Sequence, residues 1–104
     1  MKVNQVLDQA RKIQEKIKDV KKELSGRTVE ASAGGGMVTV VANCDNKILS
    51  VKIDPSVFEE GDVEMFEDLI AAATNEALRR SQEIMGQEMA KVSGLGGMNI
   101  PGLF

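Results

Sequence analysis

The stretch from Met1 to Leu24 constrains this chain most. Val3, Ala10, Ile17 and Leu24 occupy one heptad position, and Val6, Ile13 and Val20 occupy the other seam position. The 3-4-3-4 spacing is unbroken, Leu7 widens the stripe at its start, and neither Gly nor Pro interrupts it. Such spacing predicts a long amphipathic helix whose seam needs a partner, either its own core or another chain. Its outer face is basic. Arg11 and Lys18 share one outward position with Lys12 and Lys22 beside them, while Lys2, Lys16 and Lys21 flank the seam.

The charge is unevenly divided. Residues 1–27 hold eight basic and four acidic side chains, a net of +4, and residues 28–104 hold five basic and twelve acidic, a net of −7. An acidic protein with its positive charge gathered at one end suggests a polyanionic or otherwise charged partner. The chain has no His, the commonest general acid/base and metal ligand. Cys44 is the single cysteine, so no internal disulfide forms, and a small turn residue is the expected role. No run of eighteen apolar residues and no signal pattern is present, which predicts a soluble cytoplasmic protein with no membrane partner.

Ser25-Gly26 should end the helix, with Gly26 in the left-handed conformation. The apolar period then changes from 3.6 to 2. Thr28–Ala33 alternates as a half-buried strand. Gly34-Gly35-Gly36 reads as a hairpin loop rather than a phosphate cradle, since it opens a strand and not a helix. Met37–Asn43 is apolar on both sides, with Val38, Val40 and Ala42 facing one way and Met37 and Val41 the other, as in a central strand covered on both faces. After the polar turn Cys44–Lys47, the segment Ile48–Ile53 is a third strand with Leu49, Val51 and Ile53 inward. Asp54-Pro55 breaks the sheet, Val57 and Phe58 should plug its edge, and Glu59-Glu60-Gly61 should loop.

Asp62 is placed to cap a second long helix, from about Val63 to about Val92, with Glu64, Glu67 and Asp68 near its positive end. Phe66, Ile70, Ala73 and Ala77 begin its stripe, and Leu78, Met85, Met89 and Val92 continue it. Ala71-Ala72-Ala73 should permit close packing on the sheet, and Gly86 should mark a bend or a close contact. One domain over 1–92 and a flexible Gly-rich tail over 93–104 are expected; Leu95, Met98, Ile100, Leu103 and Phe104 of the tail are able to dock on an apolar surface.

The fold class is therefore α+β, in the order α-β-β-β-α, with a three-stranded antiparallel sheet. Six-residue strands span about 20 Å and helices of about 23 and 30 residues span about 35 and 45 Å. A compact domain of this size has a radius of gyration near 13 Å. Both helices must overhang the sheet, covering each other antiparallel, and the second apolar patch at Met37 and Val41 suggests a two-fold dimer.

Several segments carry a family likeness: the heptad-like first helix, Gly34–Val40, Leu49–Pro55, Phe66–Ala77 and the Gly- and Pro-containing tail. On these, essentially along its whole length, the chain resembles the YbaB/EbfC family of bacterial nucleoid-associated proteins. The resemblance implies a tweezer-like homodimer whose helical arms bind DNA in the nucleoid, with no enzymatic activity.

The leading expectation is a homodimer that grips double-stranded DNA, largely without sequence specificity, through Lys and Arg contacts to phosphate. The candidate residues are Lys2, Arg11, Lys12 and Lys91 toward the arm tips, and Lys18 and Lys22 nearer the sheet. Arg79 and Arg80 are expected to pair with Glu76 and Glu83 instead. No helix-turn-helix and no aromatic platform is visible. The alternative is a protein-interaction module using the seam, Met65, Met85, Met89 and the tail. An enzyme is disfavoured, since acidic neighbours such as Glu59-Glu60 and Glu67-Asp68 do not converge on one point and no nucleophile–base pair is apparent. No cofactor, metal or small-molecule substrate is expected.

Overall fold

A computed structural model of the chain describes residues 3–95. The elements run α1 (Val3–Gly26), β1 (Thr28–Ala33), β2 (Val38–Asn43), β3 (Ile48–Ile53), α2 (Ser56–Glu60) and α3 (Val63–Leu95). The fold is α+β, with a three-stranded antiparallel meander in the order β1-β2-β3. Lys2 and residues 96–104, most of the expected tail, lie outside the described residues.

The core forms where α3 crosses the sheet. Val38, Val40 and Ala42 point up from the central strand, Ala31 joins them from β1, and Ala73 and Ala77 come down from α3, all buried. Small residues on the helix let its backbone approach the sheet closely. Ala71 and Ala72 of the expected close-packing run are exposed, so Ala73 and Ala77, one helical turn apart, do that work instead. Phe66, Leu69 and Ile70 extend the packing toward the start of α3.

Two turns give the sheet its register. Gly34, Gly35 and Gly36 all have positive φ, at 65°, 68° and 96°, a path open to glycine and costly for other residues. The β2–β3 turn places Asn46 at φ 63°, the only described non-glycine residue in that region.

Several sequence expectations need correction. Gly26 is the last residue of α1 and is not left-handed; Ser25 Oγ donates to Lys22 O at 2.7 Å and Arg27 N to Leu24 O at 3.2 Å, closing the helix end. A bulge between Val41 and Ala42 pairs Ala42 with Ile48 and leaves Leu49 as the extra residue. It breaks the expected alternation: Leu49 is 49% exposed and Val51 43%, because α3 packs along β1 and β2 and leaves β3 largely uncovered. The far sheet face is polar, with Glu30 and Ser50 flanking Val41 and a Ser32–Thr39 hydroxyl pair at 2.9 Å, so no Met37–Val41 apolar patch forms there. Residues 56–60 form α2 rather than a loop. Asp54 Oδ1 accepts from Ser56 N at 2.9 Å, and Gly61 ends the turn at φ 66°. Val57 is buried at the sheet edge, but Phe58 is 66% exposed and tilts against Phe66, ring centroids 5.6 Å apart. Nothing lies within 4 Å of a Cβ built on Gly86, so no close contact explains that glycine.

The length expectation holds. The radius of gyration is 19.4 Å and the long dimension 69 Å. The 33 residues of α3 account for about 50 Å of it.

Candidate nucleic-acid interface

The arm is α1 laid against the second half of α3. Arg27, just past the end of α1, reaches Glu88 at 3.7 Å, and α1 packs on α3 far more than on the sheet. Its stripe leaves the core stepwise. Leu24 is 1% exposed, Val20, Ile17 and Ile13 are half-buried, and Val6 and Val3 reach 42% and 72%. The helices therefore run antiparallel, with α1 projecting past the end of α3.

Two side chains anchor the arm to the sheet. Asn43, buried at the end of β2, donates from Nδ2 to Ser25 O at 3.2 Å, and its Oδ1 accepts from Asp45 N at 3.0 Å and Lys47 N at 2.9 Å. One amide thus ties the end of α1 to the β2–β3 turn. The same turn is held to α3 by Ser81 through Asn46. Beside Asn43, Cys44 N donates to Arg27 O at 2.8 Å and to Leu24 O at 3.1 Å. The Cys44 thiol is buried, and desolvation raises its pKa against the opposing pull of Arg27. This is a packed corner rather than a reactive thiol. Sequence reading passed over Asn43 and Ser81. A lone Ser on the apolar stripe of α3 and an Asn at the end of an apolar strand were the available signals.

Arg11, Lys12, Lys18 and Lys22 are all exposed on α1. Arg11, Lys18 and Lys22, seven and eleven residues apart, line one ridge about 16 Å long. Among the described residues, none of these four makes an ion pair. Lys91 is exposed on α3 but pairs with Glu88 at 3.1 Å, and since Glu88 also contacts Arg27 it lies at the base of the arm rather than toward the expected tip. Lys2 lies outside the described residues.

Arg79 and Arg80 are engaged elsewhere. Arg79 donates to both oxygens of Glu76, at 2.7 and 3.0 Å, and to Glu83 at 3.0 Å. Arg80 donates to Glu76 at 3.1 Å and to Glu30 O on β1. The Arg79 hydrogen bonds are the largest influence holding the Glu76 carboxyl down at about 2. Arg80 thus braces α3 on β1, while Arg79 stays within α3.

The opposite end of the molecule is acidic. Asp62, Glu64 and Asp68 surround a shallow hollow with Met65 and Leu69. Asp62 also caps α3 through Met65 N at 2.9 Å. Among the described residues no group of three or more metal-ligating side chains converges, and no helix is long and apolar enough to cross a membrane.

Known proteins share the sequence and the fold. A nucleoid-associated protein of Thermoanaerobacter pseudethanolicus is 50% identical over 102 residues, covering 98% of this chain and 90% of its own. One from Syntrophobacter fumaroxidans is 52% identical over 97 residues, covering 93% and 86%. A crystal structure of a Helicobacter pylori protein described as uncharacterised shares the fold with a TM-score of 0.78 at 20% identity, over 91% of this chain and 98% of that one. The model of the YbaB/EbfC DNA-binding family matches residues 1–98, and the chain belongs to that family.

Proposed function

We propose that the protein binds double-stranded DNA as a homodimer, largely without sequence specificity, through basic residues on its projecting helical arm. The observation that carries this is the exposed Arg11–Lys18–Lys22 ridge with Lys12 beside it, cations with no carboxylate partner among the described residues. A ridge of this kind suits phosphate, which is read by charge and spacing rather than by base identity. The acidic end of the molecule repels the duplex and orients the arm toward it. Such a protein works in the nucleoid, within the cytoplasm, without catalysis.

Dimerisation is supported by apolar surface in an unexpected place. Ile48, Leu49 and Val51 on β3 are exposed, and so are Phe58 and Val63 in the elements that follow. A second copy covering this strip would join two sheet cores and leave both arms projecting. A monomeric mass in sedimentation at micromolar concentration would refute it.

The test is a titration with a mixed-sequence duplex at several salt concentrations, beside the Arg11→Glu/Lys12→Glu variant. A steep negative slope of log affinity against log salt, shallower in the variant, is expected. No binding even at low salt would move the weight to a protein partner gripped by the same arm.

A further inference from the structure

We infer that the Asn43 side chain is the positioning residue of the arm: by joining the end of α1 to the β2–β3 turn, it sets the direction in which the basic ridge leaves the sheet. The last carbonyls of a helix have no partner within it. In α1 the sheet takes them up. Ser25 O accepts from Asn43 Nδ2 at 3.2 Å, and Leu24 O accepts from Cys44 N at 3.1 Å. Asn43 is buried, and its Oδ1 is fixed in turn by Asp45 N and Lys47 N. Unlike the bond from Cys44 N, the one from Asn43 comes from a side chain and can be removed by substitution.

Other contacts at the root fix this direction less. Leu24 is buried, but apolar packing is non-directional. Arg27 reaches Glu88 at 3.7 Å with its own side chain half exposed, and such pairs contribute little. That contact also places Leu95, the end of α3, opposite about Val20. From Val20 to Val3, α1 therefore runs on for about 26 Å past α3. A small turn at its root is magnified toward its tip. Arg11 lies about 21 Å along the helix from Ser25, and Lys22 about 5 Å. A rotation of about 10° at Ser25 shifts Arg11 by about 4 Å and Lys22 by about 1 Å. Phosphates of one strand follow each other every ~3.4 Å along the duplex. A swing of that size takes Arg11 a whole step off its phosphate and leaves Lys22 on its own. The effect on duplex binding rests on the proposed function; the direction of the arm does not.

The test uses the full chain in a Cys44→Ala background. Spin labels go on Gln5→Cys near the tip of α1 and Asn75→Cys on α3, both exposed positions, with labelled chain diluted in unlabelled chain. Asn43→Asp at pH 8 keeps an acceptor for the turn but sets a carboxylate oxygen against Ser25 O. Asn43→Ser is the neutral counterpart, and the backbone bond between positions 43 and 47 survives it. In both, the label separation should shift or spread by about 5 Å, the swing of a ~30 Å lever through about 10°. Ser81→Ala loosens the same turn from α3 and should leave the separation unchanged. With a mixed-sequence duplex, Arg11→Gln should lower the slope of log affinity against log salt by about 0.9 in the parent and by about half of that or less beside Asn43→Ser, while Lys22→Gln lowers it by about 0.9 in both. An unchanged separation in either Asn43 variant that folds, an equal shift in Ser81→Ala, or a full Arg11 contribution beside Asn43→Ser would each overturn the inference. If the parent binds no duplex at low salt, the proposed function fails, and the label separation alone decides whether Asn43 sets the arm.

Discussion

Ser81 and Asn46 hold each other by a reciprocal pair of hydrogen bonds, Ser81 Oγ donating to Asn46 Oδ1 at 2.9 Å and Asn46 N donating back to Ser81 Oγ at 3.3 Å. Ser81 is fully buried, and Asn46 is held in the left-handed region at φ 63°. Ser81→Ala removes both bonds and is expected to cost about 1–2 kcal/mol. Asn46→Gly relieves the backbone and keeps the N–H donor, so it should cost less. Urea denaturation at one fixed protein concentration measures both; equal stability of Ser81→Ala and the wild type would show that the pair contributes nothing.

Gly34 and Gly35 separate backbone strain from packing. Both lie near φ 65°, at 65° and 68°. A Cβ on Gly34 meets Leu69 Cδ2 at 2.8 Å, whereas nothing lies within 4 Å of one on Gly35. Gly35→Ala is expected to cost about 1–2 kcal/mol from backbone strain alone. Gly34→Ala should cost about 1 kcal/mol more, since Leu69 must move out of its place against the core. The same denaturation measurement decides; equal losses would mean that Leu69 gives way freely.

The two long helices and the three strands, though not α2, were legible in the sequence because the apolar period changes cleanly, from heptad spacing before Gly26 to alternation after Thr28. The pairing of Arg79 and Arg80 with Glu76 and Glu83 was legible as well, since it depends on helical spacing alone. What escaped depends on which surface covers which. Alternation in Ile48–Ile53 reads as a half-buried strand, but it hides the bulge at Leu49 and the offset of α3 toward β1 and β2. Those two features expose Val51 and Leu49 and transfer the candidate subunit surface from Met37 and Val41 to β3. Ser81 was missed because its partner Asn46 is distant in sequence, and the anchoring role of Asn43 because its bond to Ser25 O is distant too, although its bonds to Asp45 N and Lys47 N are local. As for the candidate interface, the basic ridge could be read from α1 itself, whereas the engagement of Lys91 by Glu88 could not be told from any other i,i+3 pair.

Glu76 should impose an acid dependence on stability. Its carboxyl is held at about 2 against an ordinary 4.5, first by the hydrogen bonds from Arg79. A depressed folded-state value means that the contribution is complete above pH 4.5 and is lost as pH falls toward 2. The melting temperature should therefore fall across that window more steeply in the wild type than in Glu76→Gln, while above pH 5 the two curves run parallel. Identical slopes in the window would show that the arginine contacts do not persist in solution.

Glu88 holds two cations at the base of the arm, Lys91 at 3.1 Å and Arg27 at 3.7 Å. On the proposed function, these cations are withheld from phosphate while those of the α1 ridge are available. Lys18→Gln/Lys22→Gln should reduce the slope of log affinity against log salt by about 2, since each phosphate contact contributes about 0.9. Arg79→Gln should leave the slope unchanged, because that guanidinium is engaged by Glu76 and Glu83. Glu88→Gln removes a negative charge and releases both Lys91 and Arg27, so duplex affinity at low salt should rise about three- to tenfold, and the slope should steepen as further counterions are released. Tighter binding with an unchanged slope would place the gain in general field rather than new phosphate contacts. A fall in affinity would mean that Glu88 maintains the geometry of the arm, and that the ridge on α1 depends on this ion pair to face the duplex.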